Sequence, residues 1–356
     1  MSQEQILKMN FPGKLVFGNG VLATLQQDVK QEGFKNILLM TITPLLEQLS
    51  KFVADLKDDG IHVQVDTSIG GGSVLDVAKL LAAQLQNSQL LTDIVGNGLL
   101  KGRKVTMYLA PATAGTGSEV SPNAILVDDD NQKKGIISPF LVPDAVYVDP
   151  LLTVGLPAAI TAATGLDAFT HCLEAFTNKF SQPFIDMYAF QGMKLIAENI
   201  VQAVTNGHDV HARHQVAMGS LLGGFCLGPV NTAGVHALSY PLGSMFHLPH
   251  GLSNALLLPY VMEYNYIAAP EKYAQVAIAL GCEQEKTEEL TALAGIQRVR
   301  SLIQECGIPS RLREVDIPQN AIPKMAEDAM KITRLLINNP REITLNDALS
   351  IFNAAY

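Results

Sequence analysis

Residues 69–79 read IGGGSVLDVAK, and their three consecutive glycines stand between a strand-like run and a helix-like run. Glycine lets a backbone approach a phosphate closely, and the N-terminus of the following helix adds free N–H groups and the positive end of a dipole. The stretch therefore predicts a phosphate-binding turn. A tight strand-to-helix turn without a ligand is the alternative, because Gly-Gly-Gly-Ser does not match the GxGxxG pattern.

Strand-like and helix-like runs alternate on both sides of this turn. The strand-like runs are KLVFG, NILLM, IHVQVDTSI and VTMYLAP, and the runs between them have helical periodicity, ending at Gly33 and Gly60. NILLM is continuously apolar, which predicts a buried parallel strand. The rhythm as a whole predicts a doubly wound α/β domain over residues 1–150.

The character of the sequence changes near Pro150. Strand-like runs almost disappear, and stretches such as LPAAITAATGLDAFTHCLEAFT and PFIDMYAFQGMKLIAENIVQAV have helical periodicity. The sequence therefore predicts an all-α domain over residues 151–356.

The composition narrows the class of protein. A content of 48% hydrophobic and 17% charged residues is typical of a folded globular chain, and the net charge of −9 argues against a nucleic-acid partner. The four cysteines lack CxxC spacing, which favours free thiols over a zinc ribbon or disulfides. The N-terminus has no signal-peptide pattern, and the apolar runs are too short to cross a membrane. We expect a cytoplasmic protein.

A second loop, APATAGTGSEVSP at residues 110–122, follows a strand-like run. Its small residues come with the hydroxyl groups of Thr113, Thr116 and Ser118. Short hydroxyl side chains can bond to a nucleotide or a carbonyl group, and a loop after a strand of an α/β domain is a common position for a site. The alternative is an ordinary surface loop.

Candidate metal ligands occur in two stretches of the helical half. Asp167 and His171 are four residues apart in AATGLDAFTHCLEAF, so they share one face of a helix. His236 and His250 lie at the two ends of the stretch HALSYPLGSMFHLPHG. Together with Asp167 and His171 they offer three imidazoles and one carboxylate, a set that suits Fe²⁺, Zn²⁺ or a similar ion. A simple Asp–His contact is the alternative for the first pair. His247 is interpreted as a residue lining the site or packing beside it.

These stretches, in this order, resemble the iron-containing (group III) metal-dependent alcohol dehydrogenases. The matching blocks also include VDPLLTVGLP and the C-terminal NNPREITLNDAL, so that the resemblance covers nearly the whole chain. It implies a dehydroquinate-synthase-like fold with NAD or NADP on the N-terminal domain, and Fe²⁺ or Zn²⁺ held by Asp167, His171, His236 and His250. The residues that it implies for cofactor binding are Gly70, Gly71, Gly72, Ser73, Asp76, Thr113, Thr116, Ser118 and Lys134.

The resemblance implies hydride transfer between a small alcohol or aldehyde and the nicotinamide, with the metal polarising the substrate oxygen. Tyr240 and His247 are the candidate catalytic residues. Many relatives carry a histidine four residues after the first loop ligand, where this chain has Tyr240. Since the ordinary pKa of tyrosine is about 10 and that of histidine about 6.5, a proton relay through Tyr240 implies a different pH profile or a water chain.

Two further departures concern the cofactor domain. Relatives that prefer NAD often carry an aspartate where this chain has Ile42, so a preference for NAD over NADP is not predicted. IHVQVDTSI alternates like an edge strand although it precedes the glycines. Relatives carry about one βα unit, on the order of 25–30 residues, between such a strand and the glycines, so the resemblance implies that this unit is absent here. Either Ile61–Ile69 replaces the lost central strand, or the cofactor domain is compromised.

Several readings of the function remain open at the level of sequence. The leading one is a metal- and NAD(P)-dependent dehydrogenase of a small alcohol or aldehyde. A maleylacetate-reductase-like or other specialised carbonyl reductase is one alternative, and a metal-binding relative with impaired cofactor binding is another. A homodimer is expected because symmetric dimers are the commonest oligomers.

Overall fold

The computed structural model describes residues 6–68, 74–127 and 133–356. They form two units. The α/β unit contains the described residues of 10–113 and 118–153, and the helical unit contains residues 6–9, 114–117 and 154–356. The predicted single boundary between residues 150 and 151 stays a prediction, since short segments from the N-terminal half group with the helical unit.

The α/β unit contains eight strands and three helices among its described residues. The strands are β1 (Lys14–Phe17), β2 (Asn36–Met40), β3 (His62–Asp66), β4 (Gly96–Asn97), β5 (Tyr108–Leu109), β6 (Asn123–Val127), β7 (Lys133–Ile137) and β8 (Ala145–Val148). The helices are α1 (Leu22–Gln31), α2 (Leu46–Asp58) and α3 (Val74–Gln84). The runs that the sequence predicts as alternating strands and helices therefore form these elements.

The described strands form three separate sheets. In the first, β8 lies between β1 and β5 and is parallel to both, with Leu15 opposite Val146 and Tyr108 opposite Ala145. The second contains only the parallel pair β2 and β3. In the third, β7 is parallel to β4 and antiparallel to β6.

The prediction of a buried strand at NILLM is wrong in its burial, although β2 is a parallel strand. Leu38 is 40% exposed, and Val65 of the neighbouring β3 is 37% exposed. One side of the pair packs against α1 and α2, where Val29, Leu56 and Val63 form a small apolar cluster. A two-stranded sheet with helices on one side buries only that side.

Ile61–Ile69 does not take the place of a central strand in the described residues. β3 ends at Asp66 and bonds only to β2, while β5 bonds only to β8. The two parallel sheets are therefore not joined by backbone hydrogen bonds within the described part of the chain. The absence of a βα unit from this domain stays a prediction.

The helical unit holds the largest apolar core of the chain. Its helices are α4 (Ala158–Thr177), α5 (Pro183–Thr205), α6 (Val210–Cys226), α7 (Gly234–Phe246), α8 (His250–Asn265), α9 (Pro270–Ala279), α10 (Glu288–Glu305), α11 (Ile322–Ala329), α12 (Thr333–Leu336) and α13 (Leu345–Ala355). None of the described helices is long and apolar enough to cross a membrane. Every residue of α4 from Gly165 to Thr177 is buried, because α5, α6 and α8 pack around it.

Candidate metal centre

Helix α4 places two candidate ligands in the interior of the helical unit. Asp167 and His171 lie one turn apart on this helix, and their residues are 3% and 5% exposed. The neighbours on α4 are apolar, among them Phe169 and Leu173. A carboxylate in such surroundings needs hydrogen bonds or opposite charge to offset the loss of water.

Helices α7 and α8 bring two imidazoles to this carboxylate. His236 lies in the first turn of α7, and His250 begins α8. The Oδ1 atom of Asp167 is 3.8 Å from Nε2 of His171, 3.6 Å from Nε2 of His236 and 3.8 Å from Nε2 of His250. Three imidazole nitrogens therefore converge on one carboxylate oxygen.

The donor set fits a divalent transition metal. One ligand atom from each of Asp167, His171 and His236 lies within 4.8 Å of the others, and His250 adds its nitrogen at the partly exposed side. Imidazole nitrogen and carboxylate oxygen are typical ligands of Fe²⁺ and Zn²⁺. No lysine or arginine of the described residues forms an ion pair with Asp167. Among the described residues, neither a lysine nor an arginine therefore occupies the position of a metal ion beside Asp167.

Glu174 supports the site from one turn further along α4, and the sequence reasoning missed it. Its Oε2 atom is 2.6 Å from Nδ1 of His236, and its two oxygens accept hydrogen bonds from the backbone N–H groups of Ala233 and Val235 at 2.9 and 2.5 Å. Glu174 thus caps the start of α7 and directs Nε2 of His236 towards Asp167. A carboxylate behind a metal-binding histidine is a common supporting arrangement.

Asn254, one turn into α8, is a second residue that the sequence reasoning missed. Its side-chain amide donates a hydrogen bond to Oδ1 of Asp167 at 2.7 Å. The same nitrogen is 3.0 Å from Nε2 of His236 and 3.3 Å from Nε2 of His250. These contacts show that the carboxylate and both nitrogens face one common point.

The charges of the site favour a cation. Burial opposes the ionisation of Asp167, but His171, His250 and His236 hold its pKa well below the usual value. Burial lowers the pKa of His171 to about 4. For His236, burial also opposes the charged form, yet Glu174 and Asp167 raise its pKa to about 9. Two buried carboxylates therefore give the site an affinity for positive charge.

Gly251 allows α8 to start directly against α4. A Cβ atom at this position would lie 2.1 Å from the carbonyl oxygen of Ala163 and 3.2 Å from the Cβ of Asp167. Only a residue without a side chain permits this approach. The close contact places His250, the preceding residue, beside the carboxylate of Asp167.

The two candidate catalytic residues differ in position. The ring of Tyr240 lies beside that of His250, with a centroid distance of 5.9 Å, and its hydroxyl accepts a hydrogen bond from Arg334 at 3.1 Å. His247 caps the end of α7 in a left-handed conformation with φ of 57°, and its residue is exposed. Among the described residues, the side chain of His247 forms no hydrogen bond or ion pair with a candidate metal ligand, so its catalytic role stays a prediction.

The residues predicted to bind the cofactor are only partly described. Gly70, Gly71, Gly72 and Ser73 lie outside the described residues. Thr113 is half-buried and Thr116 is exposed, and Lys134 is half-buried in β7. Their role in cofactor binding stays a prediction.

Asp76 and Ser118 form a buried network with Lys79, which the sequence reasoning missed. The Ser118 hydroxyl donates to Oδ1 of Asp76 at 2.5 Å, and the other oxygen of Asp76 accepts from the backbone N–H of Ile125 at 3.1 Å. Lys79 donates to the Ser118 hydroxyl at 3.0 Å and to two backbone carbonyls. The network holds Ser118 against α3, and the DxxK spacing on one helix face is the signal that would have indicated it.

Two family models match the chain. The model described as "Fe-containing alcohol dehydrogenase family, C-terminal" covers residues 161–356, and the model described as "Iron-containing alcohol dehydrogenase" covers residues 67–150. The chain belongs to the iron-containing alcohol dehydrogenase family. Membership makes it an oxidoreductase of the alcohol dehydrogenase class, as the sequence predicts.

Two relatives and one solved structure match over nearly their whole length. The chain is 33% identical to long-chain-alcohol dehydrogenase 1 of Geobacillus thermodenitrificans, over 99% of this chain and 97% of that protein. It is 31% identical to the NAD-dependent methanol dehydrogenase of Bacillus methanolicus, over 97% and 98% of the two chains. The solved structure of a 1,3-propanediol oxidoreductase superposes with a TM-score of 0.95, at 31% identity and over 99% and 100% of the two chains.

These findings confirm the predicted family and the predicted fold class. The absence of about one βα unit stays a prediction.

Proposed function

We propose that this chain catalyses reversible hydride transfer between a small alcohol or aldehyde and a nicotinamide cofactor, with Fe²⁺ or Zn²⁺ as its metal. The observation that carries the proposal is the convergence of three imidazole nitrogens on one buried carboxylate oxygen, at 3.6 to 3.8 Å. Membership in the iron-containing alcohol dehydrogenase family supports it.

Asp167, His171, His236 and His250 are the proposed metal ligands. The chemistry that a divalent cation supplies there is polarisation of the substrate oxygen as a Lewis acid. Asp167 contributes the negative charge of the ligand set. Glu174 keeps Nε2 of His236 directed at the site, and Gly251 lets His250 approach it.

The proposed cofactor contacts are Gly70 to Ser73, Asp76, Thr113, Thr116, Ser118 and Lys134. The bond between Asp76 and Ser118 also holds the second loop against α3. The nicotinamide supplies the hydride acceptor or donor. Ile42 follows β2 closely and offers no side-chain acceptor for a ribose hydroxyl. We therefore propose that the chain accepts both NAD and NADP.

Tyr240 is the proposed residue for handling the proton of the alcohol. The guanidinium of Arg334 can only donate, so the Oη atom of Tyr240 is the acceptor in their bond. Its own O–H hydrogen is then directed to a different acceptor. His247 remains proposed as a residue that lines the site, and a cytoplasmic homodimer remains the predicted state of the protein.

Titration of the purified protein with NADH and NADPH tests this proposal, on metal-loaded samples and on samples treated with a chelator. We expect dissociation constants in the micromolar range, and oxidation of short primary alcohols that is lost on chelation and restored by Fe²⁺ or Zn²⁺. A folded, metal-bearing protein that binds neither nucleotide would overturn the proposal and leave a metal-binding relative with impaired cofactor binding. Activity that survives chelation would favour the specialised carbonyl reductase.

A further inference from the structure

Helix α12 carries an arginine that bonds to a tyrosine beside the candidate metal centre. Arg334 lies in this short helix, which packs against α7, and its residue is exposed. Its Nη2 atom donates to the hydroxyl of Tyr240 at 3.1 Å. Tyr240 lies four residues after His236 on α7, and its ring is 5.9 Å from that of His250. The guanidinium is therefore one tyrosine side chain away from a proposed ligand.

No carboxylate neutralises this guanidinium among the described residues. The other arginines of the helical unit include ion-paired ones, such as Arg298 with Glu305 and Arg300 with Glu263. Arg334 instead donates a side-chain hydrogen bond to the neutral phenol of Tyr240. A guanidinium has five N–H donors in a planar fork that matches carboxylate, sulfonate or phosphate oxygens. Most of these donors are not used by the bond to Tyr240.

We propose that Arg334 recognises an anionic group at the far end of the substrate, so that the preferred substrate is a short aldehyde or alcohol with a terminal anion. This inference rests on the proposed function, because it takes the ligand set as the place where the reacting oxygen lies. A substrate that bridges the two points places its oxygen near His250 and its anion at Arg334. Because the protein has a net charge of −9, the attraction for an anionic substrate must come from Arg334 itself.

The test compares two aldehydes of the same chain length, 4-oxobutanoate and butanal, on the metal-loaded enzyme with NADH or NADPH. We expect kcat/KM of the native protein to be at least about 10-fold higher for 4-oxobutanoate, because a charge-assisted hydrogen bond contributes about 1.5–3 kcal/mol. Arg334→Gln should lower the ratio of the two kcat/KM values about 10- to 100-fold, mainly through KM. Arg334→Lys should give an intermediate ratio.

Arg313→Gln is the matched control, because Arg313 is an exposed arginine of the same unit without a recorded bond to a site residue. It should keep the native ratio. A native protein that prefers butanal, or an Arg334→Gln ratio equal to the native one, overturns the inference. A matching loss in Arg313→Gln overturns it too, because the effect would then come from net charge.

Calorimetry separates a failure of this inference from a failure of the proposed function. If the native protein reduces neither aldehyde, binding of 4-hydroxybutanoate to the metal-loaded protein is measured instead. Weaker binding by Arg334→Gln, with unchanged binding by Arg313→Gln, still supports anion recognition at Arg334. Equal binding by all three proteins, or no binding by the native one, overturns it.

Discussion

Glu174 performs two tasks with one carboxylate. It accepts hydrogen bonds from two backbone N–H groups at the start of α7, and it lies 2.6 Å from Nδ1 of His236. The same negative charge therefore stabilises the positive end of the helix dipole and fixes the orientation of the imidazole. At the scale of single residues, the geometry of the candidate metal centre depends on this contact.

Glu174→Gln tests this role. The amide keeps the shape of the side chain but loses the charge and one acceptor, so Nε2 of His236 is held less firmly towards Asp167. We expect the affinity for Zn²⁺ to fall about 10- to 100-fold, as measured by competition with a chromophoric chelator. Glu198→Gln, on the exposed surface of α5, is the control. An unchanged affinity in Glu174→Gln would show that the contact does not support metal binding.

The sequence predicts the candidate metal ligands better than the residues that hold them in position. Asp167 and His171 are visible because their spacing puts both on one helix face, and His236 and His250 because they lie in matching blocks. Glu174 is also spaced to share that face, three residues after His171, but its partner is 62 residues away. Asn254 likewise reaches Asp167 across 87 residues. Long-range partners of this kind are determined by packing, which the spacing in one helix does not predict.

The contact between α4 and α8 determines the position of His250. Gly251→Ala would place a methyl group 2.1 Å from the carbonyl oxygen of Ala163, so the start of α8 must move away from α4. We expect the variant to fold and to bind Zn²⁺ at least about 10-fold more weakly, because His250 moves with the helix. Gly243→Ala is the matched control, since its methyl group would meet the nearest atom at 3.6 Å. Equal affinities in the two variants would contradict the account.

Two buried ionisable groups lie where helix α3 contacts the second loop: Glu119 belongs to the loop, and Lys79 of α3 donates to its Ser118. Burial raises the pKa of Glu119 to about 7, and burial lowers the pKa of Lys79 to about 8. Between the ordinary pKa of 4.5 and a pH of about 7, the unfolded chain releases a proton from Glu119 that the folded chain keeps. The contribution of Glu119 to stability therefore falls as the pH rises through this window.

Glu119→Gln should remove this loss. Relative to the native protein, the free energy of unfolding of the variant should rise between pH 5 and pH 7, by up to about 3 kcal/mol. Urea unfolding at several pH values measures it, with the exposed Glu47→Gln as control. If the free energy of unfolding changed with pH in the same way in the native protein and in Glu119→Gln, the buried carboxyl of Glu119 would not stay protonated up to pH 7.

At the scale of the whole molecule, the α/β unit and the helical unit differ in how they are held together. The helical unit packs its helices around α4, whereas β2 and β3 form a sheet of two strands with Leu38 and Val65 exposed. A two-stranded sheet has little independent stability. We expect backbone amides of β2 and β3 to exchange with deuterium faster than those of β8 and α4, by mass spectrometry. Equal protection would mean that further contacts hold this sheet.

The order of elements follows from the sequence, but the sheet connections do not. Apolar runs and helical periodicity predict β1 to β3, α1 to α3 and the all-helical second half. NILLM is typical of a strand buried on both faces, yet in the described residues β2 pairs only with β3, in a sheet of two strands. The alternation in IHVQVDTSI is the local sign of that exposure. The burial of a strand thus depends on the whole sheet, and the residues of that strand alone do not predict it.

X-ray absorption spectroscopy of the Zn²⁺-loaded protein, together with metal analysis, tests the central claim most directly. We expect one ion per chain in a shell of nitrogen and oxygen ligands with the multiple-scattering signature of three imidazoles, falling to two in His250→Ala. Failure to bind one ion per chain, or a shell that keeps its imidazoles in His250→Ala, would contradict a site formed by Asp167, His171, His236 and His250.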